Sequence, residues 1–306
     1  MRPVLAGALR IRVRLMSGGL SFSNRLEISI GLVRASASIL LANRGLLIFP
    51  CISALAALLV IATFAWPSGG LQTLLTLVPH DGRAFTNSHY AAYFLFYLCE
   101  YFVVFFFNTA LVGAVMMQLD GDKPTLGDGL RIAASKLHTI FGYALIAATV
   151  GVVLRAIQER FGLIGRIVGG LIGVSWTLAT ALVVPVLAAN DVGPLEAIEE
   201  SARLFTRTWG ENALGRTGMG MTFAMIFLLV LAGGTGLTEL AKNVFESELM
   251  MHAMQLLTIG GLVIVALIFS TLSGIYAVAL YRHASDSAQT AGFDSDALAN
   301  AFYDRG

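Results

Sequence analysis

Two periodicities organise this sequence, a coarse alternation of long apolar runs with short polar stretches and a fine helical spacing inside the polar stretches. The coarse one predicts membrane spans. Gly45 to Trp66 carries no charge over 22 residues, close to the ~20 that cross about 30 Å of hydrocarbon, and Pro50 is expected to kink it near one end. Ala91 to Leu119 is 29 residues long with a single charge, Glu100, which exceeds a straight crossing and implies tilt or protrusion. Shorter runs follow at Ile140 to Ile157, with Arg155 placed to snorkel from its far end, and at Ile167 to Ala189, Thr217 to Leu237 and Leu256 to Tyr281. The expectation is six spans.

The fine periodicity appears just before alternate spans. In GPLEAIEESARLFTRTWGEN, residues 193–212, Leu195, Ile198, Ala202, Phe205 and Trp209 form one helical stripe, and Glu196, Glu199, Glu200, Arg203 and Arg207 cover the rest. That is the pattern of a helix lying flat at an interface. Pro194 suits its first position, and early acids with late bases suit the dipole. Thr125 and Asp128 form a capping pair ahead of a second stripe, Leu130, Ala133, Ala134, Leu137 and Phe141. Asn24 and Glu27 open a third, with Leu26, Ile30, Val33, Ala37 and Leu40.

These segments superimpose without gaps when Gly45, Gly142 and Gly210 are aligned, at intervals of 97 and 68 residues. Ser36, Ala133 and Ser201 then coincide, as do Val33, Leu130 and Ile198, and Leu40, Leu137 and Phe205. The unit is an entry helix, a glycine marking the turn into the membrane, and a two-span hairpin, repeated three times. Each copy crosses twice, so the repeats are parallel. The domain reading is a basic N-terminal segment (1–23), a membrane domain (24–281, with units 24–119, 125–189 and 194–281) and a disordered polar tail (282–306). Met16 offers an alternative start to Met1.

Composition agrees. Hydrophobic residues make up 57% of the chain and charged ones 13%, with a mean hydropathy of +0.77, against about 25% charged residues in soluble domains. The net charge of +1 gives no reason to expect nucleic acid. Cys51 and Cys99 both lie in apolar runs, so no disulfide framework is indicated. Arg83, Arg155, Arg160, Arg166 and Lys242 fall on one side of the membrane, and the other fifteen of the 20 Lys and Arg residues fall on the side holding both termini and the entry helices. That side is expected to be the cytoplasm of a cell whose inner membrane the protein spans.

Candidate chemistry is sparse. Glu100 is the one carboxylate well inside an apolar run, and Asn108 shares its helical face. Together they form a candidate polar intramembrane site, although Glu100 also suits an outer interface position. Trp209, Glu211 and Asn212 form a candidate interfacial cluster at the end of the third entry helix, explicable too by anchoring and capping. Gly165, Gly169 and Gly173 are four apart and predict close helix packing. The histidines at 80, 89, 138, 252 and 283 are scattered, and Asp120, Asp122 and Asp128 read as a solvated turn. No cofactor or metal is expected, and no catalytic motif is present.

The ordered set SFSNRLEISIGLVRASASIL, LLIFP, YFVVFFFNTALVGA, PTLGDGLR, FGYALIAATVGVVLR, GLIGRIVGG, VVPVL and GPLEAIEESARLFTRTWGEN resembles a family of bacterial multi-pass membrane proteins with no assigned function, over residues 21–285. The resemblance implies a six-span integral membrane protein and supplies no reaction. Glu100 stands where that family is expected to have an uncharged residue. More loosely, the repeated design is similar to the membrane domain of some bacterial glycerophosphodiester phosphodiesterases. The reading is an all-α, six-span bundle with three cytoplasmic amphipathic helices, without enzymatic activity, engaging membrane lipids, a membrane-protein partner or a second copy of itself. The competing reading is a transporter or channel for a lipid or small solute.

Overall fold

In the computed structural model, residues 36–65, 87–207, 209–245 and 248–285 are described, and every regular element among them is helical. The Asn24–Glu27 pair, the basic N-terminal segment, residues 66–86 and the tail beyond 285 lie outside the described residues.

Helix α1 covers 36–42. A 3-10 turn, Arg44–Leu47, leads into α2, Ile48–Ala65, and α3 follows at Asn87–Leu119. The short α4, Leu126–Ser135, precedes α5, Leu137–Arg160. The next crossing is broken, α6 at Gly162–Ala179 and α7 at Val183–Ala189. Then come α8, Pro194–Arg207, α9, Trp209–Phe245, and α10, Glu248–Ala284. Six stretches are long and apolar enough to span a membrane: Arg44–Phe64, Phe94–Leu119, Leu137–Gln158, Gly162–Ala189, Gly220–Asn243 and Glu248–Ala284. They coincide with the six apolar runs.

The boundaries differ, and most helices are longer than the apolar runs. Residues 87–90, ahead of the second run, and 282–284, expected as tail, are helical. Between α5 and α6 the turn is only Phe161 and Gly162, which takes φ +54° to reverse the chain, a conformation that favours glycine. Pro50 falls in the first turn of α2, where its missing N–H disrupts no helical bond. The irregularity assigned to it lies just before, in the 3-10 turn.

The described residues form two compact units, one taking in Ser36–Trp209 with 266–285, the other 210–265. In the second, α9 and the first part of α10 touch closely at Gly234, where an added Cβ would come 2.2 Å from Thr258 Oγ1. In the first, the core lies at one end of the bundle. Leu46 belongs to the 3-10 turn and Phe49 to the first turn of α2, Leu111 to the last turns of α3, Ile140 to the start of α5, and Leu187 and Tyr276 to α7 and late α10; all are fully buried. Toward the opposite end Leu55, Leu59, Leu163 and Leu171 are exposed. In water such exposure would be costly; in hydrocarbon it is not, because lipid tails are as apolar as leucine.

The same physics turns the entry helices. In α8 the buried residues are Ala197, Ser201, Leu204 and Phe205, and Leu195, from the same apolar stripe, is 70% exposed. In α4 Gly129 and Ala133 are buried, while Leu137 and Phe141, from the same expected stripe, are about half exposed at the start of α5. Small residues face the bundle because they allow backbone approach. An added Cβ at Gly129 would lie 2.5 Å from Phe49 Cζ and 2.6 Å from Ala110 O. In α4 the inward positions are small, whereas in α8 Leu204 and Phe205 pack inward beside Ala197 and Ser201.

Gly142 does not mark the entry to the third span. The α4–α5 break is at Lys136, six residues earlier. Gly142 lies inside α5, where a Cβ would come 3.0 Å from Pro194 Cγ, so it makes room for the first residue of α8.

Candidate functional site

At the buried end of the first unit, the helix ends are joined by a belt of polar side chains. It starts with α1, whose Ile39 carbonyl accepts from Gln118 Nε2 at 2.9 Å. Just past α1, Asn43 donates to the Pro124 carbonyl at 3.2 Å while its Oδ1 accepts from the Gly45 amide at 3.1 Å. A helix N-terminus leaves amides without internal partners, and at α4 a complete capping box fills that need. Thr125 N donates to Asp128 Oδ2 at 3.0 Å, and Asp128 N donates back to Thr125 Oγ1 at 3.3 Å.

At the other end of α4, the Lys136 ammonium donates to the Asn190 carbonyl at 2.9 Å and to the Asp191 carboxylate. Asn190 in turn donates to the Tyr281 hydroxyl at 2.9 Å, near the end of α10. The next residue, Arg282, pairs with Asp120 at 2.7 Å and donates to the Met116 carbonyl at 2.9 Å, closing onto the end of α3. One further bond comes from within α8. Ser201, fully buried, accepts from the Leu182 amide at 3.0 Å. Leu182 lies in the break between α6 and α7, where the chain leaves the regular ladder, and a buried amide without a partner is costly.

Two carboxylates outside the spans carry the electrostatic signature of this belt. Hydrogen bonds from Thr125, assisted by the Arg131 charge, hold Asp128 below the ordinary aspartate range. The Lys136 hydrogen bond and charge, with a smaller contribution from His138, do the same to Asp191.

The residues singled out by spacing lie elsewhere. Glu100 is half-buried in α3, and its Oε1 has no hydrogen-bond partner among the described residues. Asn108 is eight residues further on, about 12 Å of helical rise, and also half-buried. Aromatic contacts occupy the stretch between them: Tyr101 stacks on Phe105 at 5.6 Å, and Phe105 meets Tyr143 at 4.5 Å. Trp209, Glu211 and Asn212 stand in the first turn of α9, and their side chains lie outside the described residues. Gly165, Gly169 and Gly173 line the face of α6 turned to α5. Added Cβ atoms would come 2.4 Å from Ile157 O, 2.7 Å from Gln158 Cγ and 3.8 Å from Leu154 Cδ1, respectively. Among the described residues, no group of three His, Cys, Asp or Glu side chains is placed to hold a metal ion.

Residues 87–293 match a family described as a family of unknown function (DUF6159). The chain belongs to that family. The DUF6159 region runs from the start of α3 past the end of α10, so Asp120, Lys136, Asn190, Asp191, Tyr281 and Arg282 are all inside it, while α1, the 3-10 turn and α2 precede it. No curated protein and no solved structure matches the chain.

Of the belt, spacing reveals only the Thr125–Asp128 box. The bonds that join different helices at this end of the unit come from polar residues at the ends of apolar runs, with partners 54 to 166 positions away. One local signal was available: Asp120, Lys136, Asp191 and Arg282 all flank spans on the same side by the alternation of crossings.

Proposed function

We propose that the protein is a component of the cytoplasmic membrane with no catalytic chemistry of its own, and that it presents α1, α4 and α8 at the cytoplasmic face as a platform for membrane lipid. The observation carrying this reading is the shared packing of the three helices. Ser36, Ala133 and Ser201, equivalent in the threefold repeat, are each 0% exposed. Meanwhile Leu41 on α1, Leu137 and Phe141 beside α4 and Leu195 on α8 remain exposed. A small residue packed inward at each equivalent position, with large apolar side chains left exposed beside it, suits helices bordered by acyl chains. The excess of Lys and Arg on that side supports its cytoplasmic orientation.

Lipid retention tests the reading. The full chain is purified in mild detergent and the co-purifying phospholipid is counted by native mass spectrometry. Replacing Leu137, Phe141 and Leu195 together by Ser is expected to lower the bound lipid severalfold with the thermal transition kept, because all three are exposed. Unchanged lipid would contradict the platform.

A transporter or channel remains the second reading, supported by the unpartnered Glu100 oxygen within a span. Glu100→Gln would then abolish a solute or proton flux measured in proteoliposomes, and lipid retention would be unaffected.

A further inference from the structure

Lys136 stands in a position that the other two copies of the repeat fill with an aliphatic residue. Its equivalents are Ile39, 97 residues earlier, and Leu204, 68 residues later, and both are buried in the bundle. The Lys136 side chain is nearly as enclosed, 13% exposed, yet its ammonium reaches beyond the helix end to the Asn190 carbonyl and the Asp191 carboxylate. The backbone differs as well. In the first copy α1 continues through residue 42, and in the third α8 continues through Arg207. In the second copy α4 stops at Ser135, and Lys136 itself, at φ −102° and ψ 12°, forms the break.

A lysine stem enclosed where an aliphatic side chain would fit, with its ammonium paired to a carboxylate that is 96% exposed, gains little net stability from the pair, and polar groups placed in such slots are best attested as devices that specify a register or a state. The groups it holds are in the Asn190–Gly193 connection, which links the fourth span to α8. Asn190 is itself bonded to Tyr281 on the last span, and Pro194 is seated against Gly142. We propose that Lys136 is a latch, a positioning residue that ties the second entry helix to the third through the 190–193 connection. With the latch closed, α4 and α8 move together; with it open, α8 keeps its Ser201 bond to Leu182 but its leading end is released. The inference rests on the threefold repeat and is independent of whether the platform takes lipid.

Hydrogen–deuterium exchange on the full chain in phospholipid nanodiscs tests it, comparing wild type, Lys136→Leu and Asp191→Asn. Leucine is the residue of the third copy, so Lys136→Leu is expected to retain the fold and melting temperature. Exchange across 190–193 should rise about tenfold, the loss of one charge-assisted hydrogen-bonded contact. The capping box at 125–128 should exchange at its original rate. Asp191→Asn should give a smaller rise, because the Asn190 carbonyl still accepts from Lys136. Unchanged exchange at 190–193 in Lys136→Leu would overturn the latch. General loss of protection in that variant would overturn the equivalence with Ile39 and Leu204 on which it stands, while leaving the lipid-retention result free to go either way.

Discussion

Ser201 shows how much one side chain carries in this molecule. Its hydroxyl is fully buried and supplies the acceptor for Leu182 N at the break in the fourth span. Ser201→Ala would leave that amide buried without a partner, at a cost of about 1–3 kcal/mol. A lowered midpoint of detergent-induced unfolding is the expected outcome, and an unchanged midpoint would mean that the break is held by other means. Asp191 makes a pH-dependent contribution of a different kind. Its pKa is depressed by Lys136, so its contribution is complete above the ordinary aspartate value of about 4 and is lost as the pH falls through the lower folded value. Melting curves of wild type and Asp191→Asn should therefore differ at neutral pH, begin to approach each other below about pH 4 and converge once the pH is below the depressed folded value. Convergence at neutral pH would contradict the pairing.

Helices were legible where the cause of their structure is local. The Thr125–Asp128 box was readable because both partners lie within one turn, and the Gly165, Gly169 and Gly173 row because helical spacing alone puts them on one face. The α5–α6 contact then gives a graded prediction. Gly165→Ala forces a Cβ to 2.4 Å from the backbone oxygen of Ile157, overpacking worth about 1–3 kcal/mol. Gly173→Ala meets Leu154 at an ordinary 3.8 Å and gains up to about 1 kcal/mol of helix propensity. Thermal unfolding should rank Gly165→Ala clearly below wild type and Gly173→Ala at or above it; equal effects would mean that the glycine face is not the packing face. Helix ends were less legible. A span ends for the lipid where polarity begins, but α9 continues through Lys242 and α10 begins at Glu248, because charged residues with good helix propensity prolong a helix into water. In α8 spacing identifies the apolar stripe, but not that Phe205 packs inward while Leu195 stays exposed.

For the whole molecule, the six helices long and apolar enough to span a membrane were readable from length and charge alone, since a bilayer imposes a fixed run of apolar residues. The polar belt was not, because Lys136 with Asp191 and Arg282 with Asp120 are joined only once the spans have been brought together. Glu100 marks the opposite case. It is conspicuous in the sequence as a lone acid in an apolar run, and in the structure Tyr97, Tyr101 and Phe105 stack along the same stretch of α3. The proposed platform puts the protein's distinctive chemistry at one membrane face. The central claim is that α4 and α8 share a face, the cytoplasmic one, and that the α5–α6 corner lies opposite. Single cysteines at Asp128, Glu196 and Phe161, introduced after Cys51 and Cys99 have been replaced by alanine, test this with a membrane-impermeant maleimide. In intact cells Phe161→Cys should be labelled while Asp128→Cys and Glu196→Cys stay protected until the membrane is opened. Labelling of Asp128→Cys or Glu196→Cys in intact cells, or protection of Phe161→Cys there, would contradict it.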